Sequence, residues 1–280
     1  MVVHAFADVP YNRSSFHFSG TSEAVTSVVS KLSIDTFASI PYMPEDHDEN
    51  AHPTVGLIDH ISVMPLHCEN TEQQIDRATV DAAHGIGRVL EEADVQVYYY
   101  GAADLKEKMP LSKVRKYRTN FFETGHSRND GGNDERKTFS CVGCPDSFTE
   151  NFNIRLKFSQ DELKAKSLAQ SLSRTLRERD GGLPGVEALT LRYRSDDSVV
   201  EYEVACNLLR PKVGSVEQIQ KVSNSWLDSI QSGLQFKLDM ESYRVGTTRQ
   251  QCLDALSLSG EDLESHNKKI YLGFEKYLSD

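Results

Sequence analysis

The sequence predicts an α/β protein of the α+β kind, and three observations predict it. Residues 151–240 carry strand and helix patterns in the order β-α-β-β-α-β. The first 119 residues also alternate strand and helix patterns, less regularly. The composition, 38% hydrophobic and 26% charged over 280 residues, suits a chain that buries a core and argues against disorder or a fibrous repeat.

In the second half, residues 151–158 (NFNIRLKF) alternate. Phe152, Ile154, Leu156 and Phe158 share one face, with asparagines and charges on the other, which is a half-buried strand. Residues 160–179 place Leu163, Leu168, Leu172 and Leu176 near helical spacing on a charged background. Asp180, Gly181, Gly182, Leu183, Pro184 and Gly185 stop that helix. Two strands follow: 186–193 with Leu189, Leu191 and Tyr193 together, and 199–208 with Val200, Tyr202, Val204, Cys206 and Leu208 together. The turn between them is Ser195, Asp196, Asp197 and Ser198. A second helix over 215–232 carries Ile219, Val222, Trp226 and Ile230. A strand over 234–240 then alternates Leu234, Phe236, Leu238 and Met240 with polar residues. This order specifies a ferredoxin-like sheet with both helices on one face.

In the first half, the patterns predict strands at 1–7 and 14–19, a helix at 22–39, a strand at 55–64, a helix at 71–93, a strand at 95–100 and a short basic helix near 110–119. Glu123 to Pro145 is rich in Gly, Asn, Asp, Ser and Arg and has no apolar period, so it reads as a mobile loop or linker. The chain then divides into an N-terminal subdomain over 1–122, a linker over 123–150 and a C-terminal subdomain over 151–280.

Thirty-one Lys and Arg against 42 Asp and Glu give a net charge of −11, a field that repels nucleic-acid phosphates and anionic lipid. No apolar run approaches the ~20 residues of a bilayer span, and MVVHAFADV lacks the basic and apolar regions of a signal peptide. The five cysteines (Cys68, Cys141, Cys144, Cys206, Cys252) are odd in number and scattered, which fits reduced thiols in a cytoplasmic protein.

The densest chemistry lies in residues 50–67, NAHPTVGLIDHISVMPLH. His52 precedes Pro53 in a loop, Gly56 opens the strand that follows, and Asp59 and His60 lie within it. A histidine at a loop-to-strand junction can act as a general base near neutral pH, although the residues alone favour a loop-capping histidine. On a strand Asp59 and His60 point to opposite faces and do not line one pocket. Cys141-Val142-Gly143-Cys144 is half of a zinc site with no second half, so it reads as free thiols in a loop, and no metal is expected. The glycines of His84-Gly85-Ile86-Gly87 fall inside a helical pattern, not in a nucleotide-binding turn. Lys113, Arg115, Lys116 and Arg118 form a solvated helix face or steer an anion toward a cleft.

Several segments, in order along most of the chain, resemble the formiminotransferase part of the formiminotransferase-cyclodeaminase family, above all its stand-alone, plant-type members. They are His52-Pro53-Thr54-Val55-Gly56-Leu57-Ile58-Asp59 with His60 and Pro65-Leu66; Val97-Tyr98-Tyr99-Tyr100-Gly101-Ala102-Ala103; Arg179-Asp180-Gly181-Gly182-Leu183; and Glu203-Val204-Ala205-Cys206-Asn207-Leu208-Leu209. Asp8 with Asn12-Arg13 is a weaker match.

The resemblance implies two ferredoxin-like subdomains, each a mixed or antiparallel sheet with helices mainly on one face, and a folate cleft. It implies transfer of a formimidoyl group from formiminoglutamate, an intermediate of histidine degradation, to N5 of tetrahydrofolate as co-substrate. By the same resemblance His52 is the catalytic histidine and Asp8 its carboxylate. Arg13, Gly56, Asp59, Tyr100 and Gly101 bind substrate, Arg115 is a second candidate for the anionic folate tail, and the protein is a homodimer. Three departures qualify the match. Thr54 stands where the family's enzymes carry arginine, Thr124–Cys144 diverges from a glycine-rich folate segment, and the chain begins near the family's second strand. They motivate an alternative, a folate-binding or interaction protein of the family without activity.

Overall fold

The protein is described by a computed structural model over residues 1–40, 53–67, 75–119, 121, 138–159, 162–195, 199–231, 233 and 236–275. The chain forms two compact units: one holds Met1–Ser19 and Phe148–Asp280, and the other holds the described residues from Gly20 to Ser147.

The first is a ferredoxin-like unit. Strands β6 (Glu150–Phe158), β7 (Val186–Ser195), β8 (Val200–Leu208) and β9 (Leu238–Val245) alternate with helices α4 (Glu162–Leu176) and α5 (Val216–Gln231). The sheet order is β7-β8-β6-β9 and all its neighbours are antiparallel. Alternation does what the sequence predicts on β6: Phe152, Ile154, Leu156 and Phe158 are all at most 3% exposed. They pack with Tyr202, Val204, Cys206 and Leu208 of β8 and with Ile219 and Trp226 of α5 in one core. Both helices therefore cover the same sheet face, and each fully buried large apolar side chain stabilises the unit by about 1.5–3 kcal/mol.

Three details differ from expectation. On α4 the buried stripe is Ala165, Ala169, Leu172 and Leu176, while Leu163 is 83% exposed. Small residues carry the first turns because a short side chain lets the helix axis approach the sheet. On β7 the core face is Val186 and Ala188. Leu189, Leu191 and Tyr193 share a face as predicted, but it is the one that carries Glu203, the register partner of Leu191. The last strand is also displaced toward the C-terminus, to Leu238–Val245.

Three further pieces complete this unit. Strands β1 (Val2–Asp8) and β2 (Arg13–Phe18) form a hairpin closed by the turn Val9–Asn12, in which Asn12 N–H donates to the Val9 carbonyl at 3.0 Å. Pro10 suits the first corner of such a turn, and Asn12 tolerates its φ of 49°. Helices α6 (Arg249–Leu256) and α7 (Gly260–Glu275) follow β9 and have no counterpart in the sequence reading. Thr248 begins α6 with a reciprocal capping box to Gln251. They meet the hairpin: Phe16 packs against Phe274 with ring centres 5.4 Å apart, and His266 Nε2 lies 3.1 Å from the Val2 carbonyl.

The second unit contains α1 (Ser22–Ser39), β3 (His60–Ser62), α2 (Arg77–Glu92), β4 (Val95–Gly101), α3 (Leu111–Tyr117) and β5 (Thr138–Cys144). Its described strands form a parallel sheet of order β3-β5-β4. Strand β5 is a correction, because Thr138–Cys144 falls in the stretch read as a loop. Composition dominated that reading, yet the seven residues TFSCVGC are apolar or small and sit between two other strands, with Cys141, Val142 and Cys144 fully buried. Helix α2 buries Ala83, Ile86 and Leu90 against this sheet, and Asp76 caps it by accepting from Thr79 N–H at 2.6 Å. His84, Gly85 and Gly87 lie within α2, as their pattern predicts.

Candidate active site

The residues expected to bind or react divide between the two units. Asp8 and Arg13 belong to the ferredoxin-like unit, and Gly56, Asp59, Tyr100 and Gly101 to the other. His52 lies outside the described residues.

In the parallel-sheet unit the matched motif is held by its own neighbours. Asp59 is 8% exposed; one carboxylate oxygen accepts from Val55 N–H at 3.0 Å, and the other is bound by Arg115. His60 Nδ1 lies 3.3 Å from that same oxygen and 3.1 Å from Arg115 Nη2. Asp59 and His60 thus do share a site, against the alternation argument, because Asp59 precedes the short strand and is not bound by its pleat. The Arg115 guanidinium also lies over the Phe121 ring at 4.2 Å. Tyr100 is 2% exposed, its hydroxyl bonded to Ser62, and burial pushes its pKa up. At Gly56 a Cβ would sit 2.2 Å from the Phe139 carbonyl oxygen, so only glycine allows this loop to lie against β5. Gly101, with φ of +59°, turns the chain out of β4.

Cys141 and Cys144 are strand residues three apart. They therefore face opposite sides of the sheet and enter two different apolar clusters. They cannot share a metal, and among the described residues no group of three or more His, Cys, Asp or Glu is placed to hold one. Burial pushes both thiols, and that of Cys206, up to about 12. We expect iodoacetamide at mildly alkaline pH to leave these three unmodified in the native protein and to modify them fully in denaturant, as read by peptide mass mapping. Native labelling of Cys141 or Cys144 at the unfolded-chain rate would contradict their place in the strand.

The ferredoxin-like unit holds the denser chemistry, on the sheet face away from α4 and α5. Each of its four strands contributes a polar residue there: Arg155 from β6, Tyr193 from β7, Glu203 from β8 and Tyr243 from β9. Register sets Arg155 directly between Glu203 and Glu241 on the neighbouring strands. Its guanidinium lies 3.7 Å from the Tyr193 ring centre, donates to the Tyr243 hydroxyl at 2.7 Å, and reaches Glu203 and Glu241 at 3.4 Å. Glu203, fully buried, also accepts from Asn153 Nδ2 at 2.7 Å and from the Tyr243 hydroxyl. Burial raises its pKa beyond what Tyr243 and Arg155 recover, and the charge of Asp8 raises it further.

The hairpin adds Asp8 and Tyr11 to this cluster. Tyr11 is 6% exposed and meets Tyr193 edge to face with centroids 5.0 Å apart. Asp8 accepts from Tyr11 N–H at 3.2 Å and pairs across the hairpin with Arg13. Burial raises the Asp8 pKa, against the lowering effect of the Tyr11 amide, Arg155, Tyr193 and Arg13. The result is a half-buried carboxyl that holds its proton to higher pH than usual, beside tyrosine hydroxyls and two guanidinium groups. Such a group can deliver a proton to a leaving atom. Sequence reasoning proposes Asp8 and Arg13 as site residues but assigns no role to Arg155, Glu203, Tyr193 or Tyr243. The available signal was the polar phase of NFNIRLKF together with a glutamate inside an otherwise apolar strand.

Residues 1–147 match the family described as "Formiminotransferase domain, N-terminal subdomain". Over 245 residues the chain is 28% identical to the "Formiminotransferase cyclodeaminase-like protein" of Arabidopsis thaliana, covering 78% of this chain and 75% of that one. Among solved structures, the de novo designed protein Foldit4 is similar at 15% identity and a TM-score of 0.26, over 35% of this chain and 99% of that one. A second designed protein, LFR1 1 with ferredoxin fold, is similar at 16% identity and a TM-score of 0.26, over 36% of this chain and 90% of that one.

Proposed function

The chain belongs to the family of the formiminotransferase N-terminal subdomain, and from that premise we propose that it is a folate-dependent one-carbon transferase moving a formimidoyl group from formiminoglutamate to N5 of tetrahydrofolate. The observation that carries this reading is Asp8, a half-buried carboxyl with a raised pKa inside a cluster of tyrosines and arginines. The reaction needs a base for the N5 proton and an acid for the departing glutamate amine. Asp8 supplies the acid, and His52, in the matched His-Pro segment, supplies the base. The half-buried Tyr193 offers a hydroxyl suited to a hydrogen-bonding pterin, and Arg13 suits an anionic tail. Tetrahydrofolate, when bound, brings the nucleophilic nitrogen. The residues of the chain hold it, exclude water and move protons. In this reading Gly56, Asp59, Tyr100 and Gly101 bind substrate, as the matched motifs imply. The same reading includes a homodimer in the cytoplasm, the former testable by light scattering; no helix among the described residues is long and apolar enough to cross a membrane.

The test is tetrahydrofolate-dependent consumption of formiminoglutamate by the purified chain. His52→Ala and Asp8→Asn are each expected to lower kcat by about 10²-fold or more, the usual size of an acid–base contribution. Absence of turnover at high protein concentration, with His52→Ala indistinguishable from the parent, would remove the proposal. One observation favours the alternative reading, a folate-binding member without activity. Thr54 stands where the family's enzymes carry arginine, and its Oγ1 is buried without a partner among the described residues. Calorimetric binding of tetrahydrofolate without turnover would select that reading.

A further inference from the structure

Asp8 and Glu203 come from different parts of the ferredoxin-like unit, the hairpin and the inner strand β8, and one guanidinium serves both. Arg155 Nη2 reaches Glu203 at 3.4 Å and donates at 2.7 Å to the Tyr243 hydroxyl, which itself donates to Glu203. The same guanidinium lies 3.7 Å from the Tyr193 ring centre, and the Tyr193 hydroxyl donates to Asp8. Contacts thus run from one carboxyl to the other through Arg155 and Tyr193.

The charges do not balance if both carboxyls ionise. Arg155 carries one positive charge, and a second carboxylate beside it would be a buried charge with no partner of its own. Glu241 also meets Arg155, but it is half exposed and paired with Lys157, so solvent and that lysine balance it. The other titratable groups that act on the pair are Tyr193 of β7, Glu201 of β8, Tyr243 of β9, and Tyr11 and Arg13 of the hairpin. Arg13, across the hairpin from Asp8, acts on it more weakly than Arg155 does, and Glu201 adds negative charge beside Tyr193. Burial favours the protonated form of both carboxyls, Arg155 opposes it at both, and an ionised Asp8 favours it again at Glu203.

We infer that Asp8 and Glu203 act as one carboxyl pair spanned by Arg155, holding a single proton between them, and that Glu203 is the positioning residue that keeps this proton available to Asp8. The part in catalysis rests on the transferase reading above; the pair itself does not. An ionised Glu203 occupies the charge of Arg155, which would otherwise draw the proton off Asp8. Transfer breaks the Asp8 O–H bond and forms an N–H bond on the leaving amine, and the pair regains its proton from solvent.

Carboxyl ¹³C NMR of the full chain across pH, with Asp and Glu labelled, follows both residues, and Asp8→Asn and Glu203→Gln assign their signals. In the parent each signal is expected to move in two steps, because each carboxyl senses the other's ionisation. Glu203→Gln should lower the pH at which Asp8 ionises by about one pH unit, and Asp8→Asn should lower that of Glu203 equally, since such coupling is reciprocal. Glu241→Gln removes a solvated charge and should move Asp8 about half as far or less. In the turnover assay Glu203→Gln should carry the alkaline limb of kcat down by the same pH interval with KM little changed. A purely structural glutamate would not produce that displacement, because glutamine still meets Asn153 and Tyr243. Single-step titration in the parent, or an Asp8 midpoint unmoved by Glu203→Gln, overturns the pair. An alkaline limb that stays in place in Glu203→Gln overturns the positioning role. A parent without turnover removes the transferase reading, while the titration still decides the pair.

Discussion

Replacing Arg155 with methionine is expected to destabilise the ferredoxin-like unit by about 3–5 kcal/mol, the cost of stripping a buried charge of its partner. The methionine keeps most of the volume and some contact with the Tyr193 ring, so the loss is mainly electrostatic. Glu203, with no exposed surface, would then keep only Asn153 and Tyr243. Glu203→Gln should cost far less. The amide still meets Asn153 and Tyr243, while Arg155, whose side chain is 17% exposed, retains Glu241 and the aromatic rings. The double variant should be more stable than Arg155→Met alone, giving a coupling energy from a double-mutant cycle.

The pH dependence gives a second check. Burial raises the Glu203 pKa, so the folded state holds that proton more tightly than the unfolded chain does. Its contribution to stability is therefore fully present below the ordinary glutamate range and is lost as pH rises through the elevated value. Arg155→Met should steepen and extend that loss, and Glu203→Gln should abolish it. Urea unfolding across a pH series measures both, and an Arg155→Met protein more stable than Glu203→Gln would refute the argument.

Gly101→Ala is expected to cost about 2–5 kcal/mol in the parallel-sheet unit, from two sources. Gly101 has φ of +59°, a region that costs an L-residue about 1–2 kcal/mol. An added Cβ would also lie 1.9 Å from the Cys144 carbonyl oxygen, and forcing such a contact apart costs about 1–3 kcal/mol more. That carbonyl cannot withdraw cheaply, because it accepts from Ala102 N–H at 2.8 Å where β4 leaves β5. Gly181→Ala separates the two sources. Gly181 has φ of +87° but open space where its Cβ would go, so it should show the backbone strain alone. Chemical denaturation and amide exchange of β4 and β5 would read the difference. Equal costs at the two glycines would mean that the close approach to Cys144 does not exist.

What the sequence made legible follows the strength of its periodicity. β6 and β8 alternate without interruption, and every predicted core residue on them is buried except Val200, which is partly buried at the strand's start. α5 was equally clear because Ile219 and Trp226 are large and correctly spaced. On α4 Leu172 and Leu176 are buried as their spacing predicts, but Leu163 is exposed and Ala165 and Ala169 complete the stripe, since alanines carry little hydrophobic signal beside leucines. β5 was missed because it follows a long polar stretch and its seven residues include two cysteines, a serine and a glycine. α6 and α7 lacked a signal of comparable strength: α7 buries no residue fully and exposes Tyr271 and Leu272. For the site, Asp8 and Arg13 were readable only through resemblance. Arg155, Glu203 and Tyr243 sit on the polar phase of their strands, where a solvated face is the default reading. Only the register shows that one guanidinium lies between two carboxylates.

The hairpin of β1 and β2 has a consequence for how the chain can be divided. Its contacts with α7 hold Val2 and Phe16 to His266 and Phe274, so along the sequence the parallel-sheet unit is an insert between two segments of the ferredoxin-like one. Cutting at Ser147, the last residue of the family match, severs the hairpin from the helices that cover it. Residues 20–147 are the better fragment to express alone, and a nascent chain must have made α7 before β1 and β2 find their lasting partners.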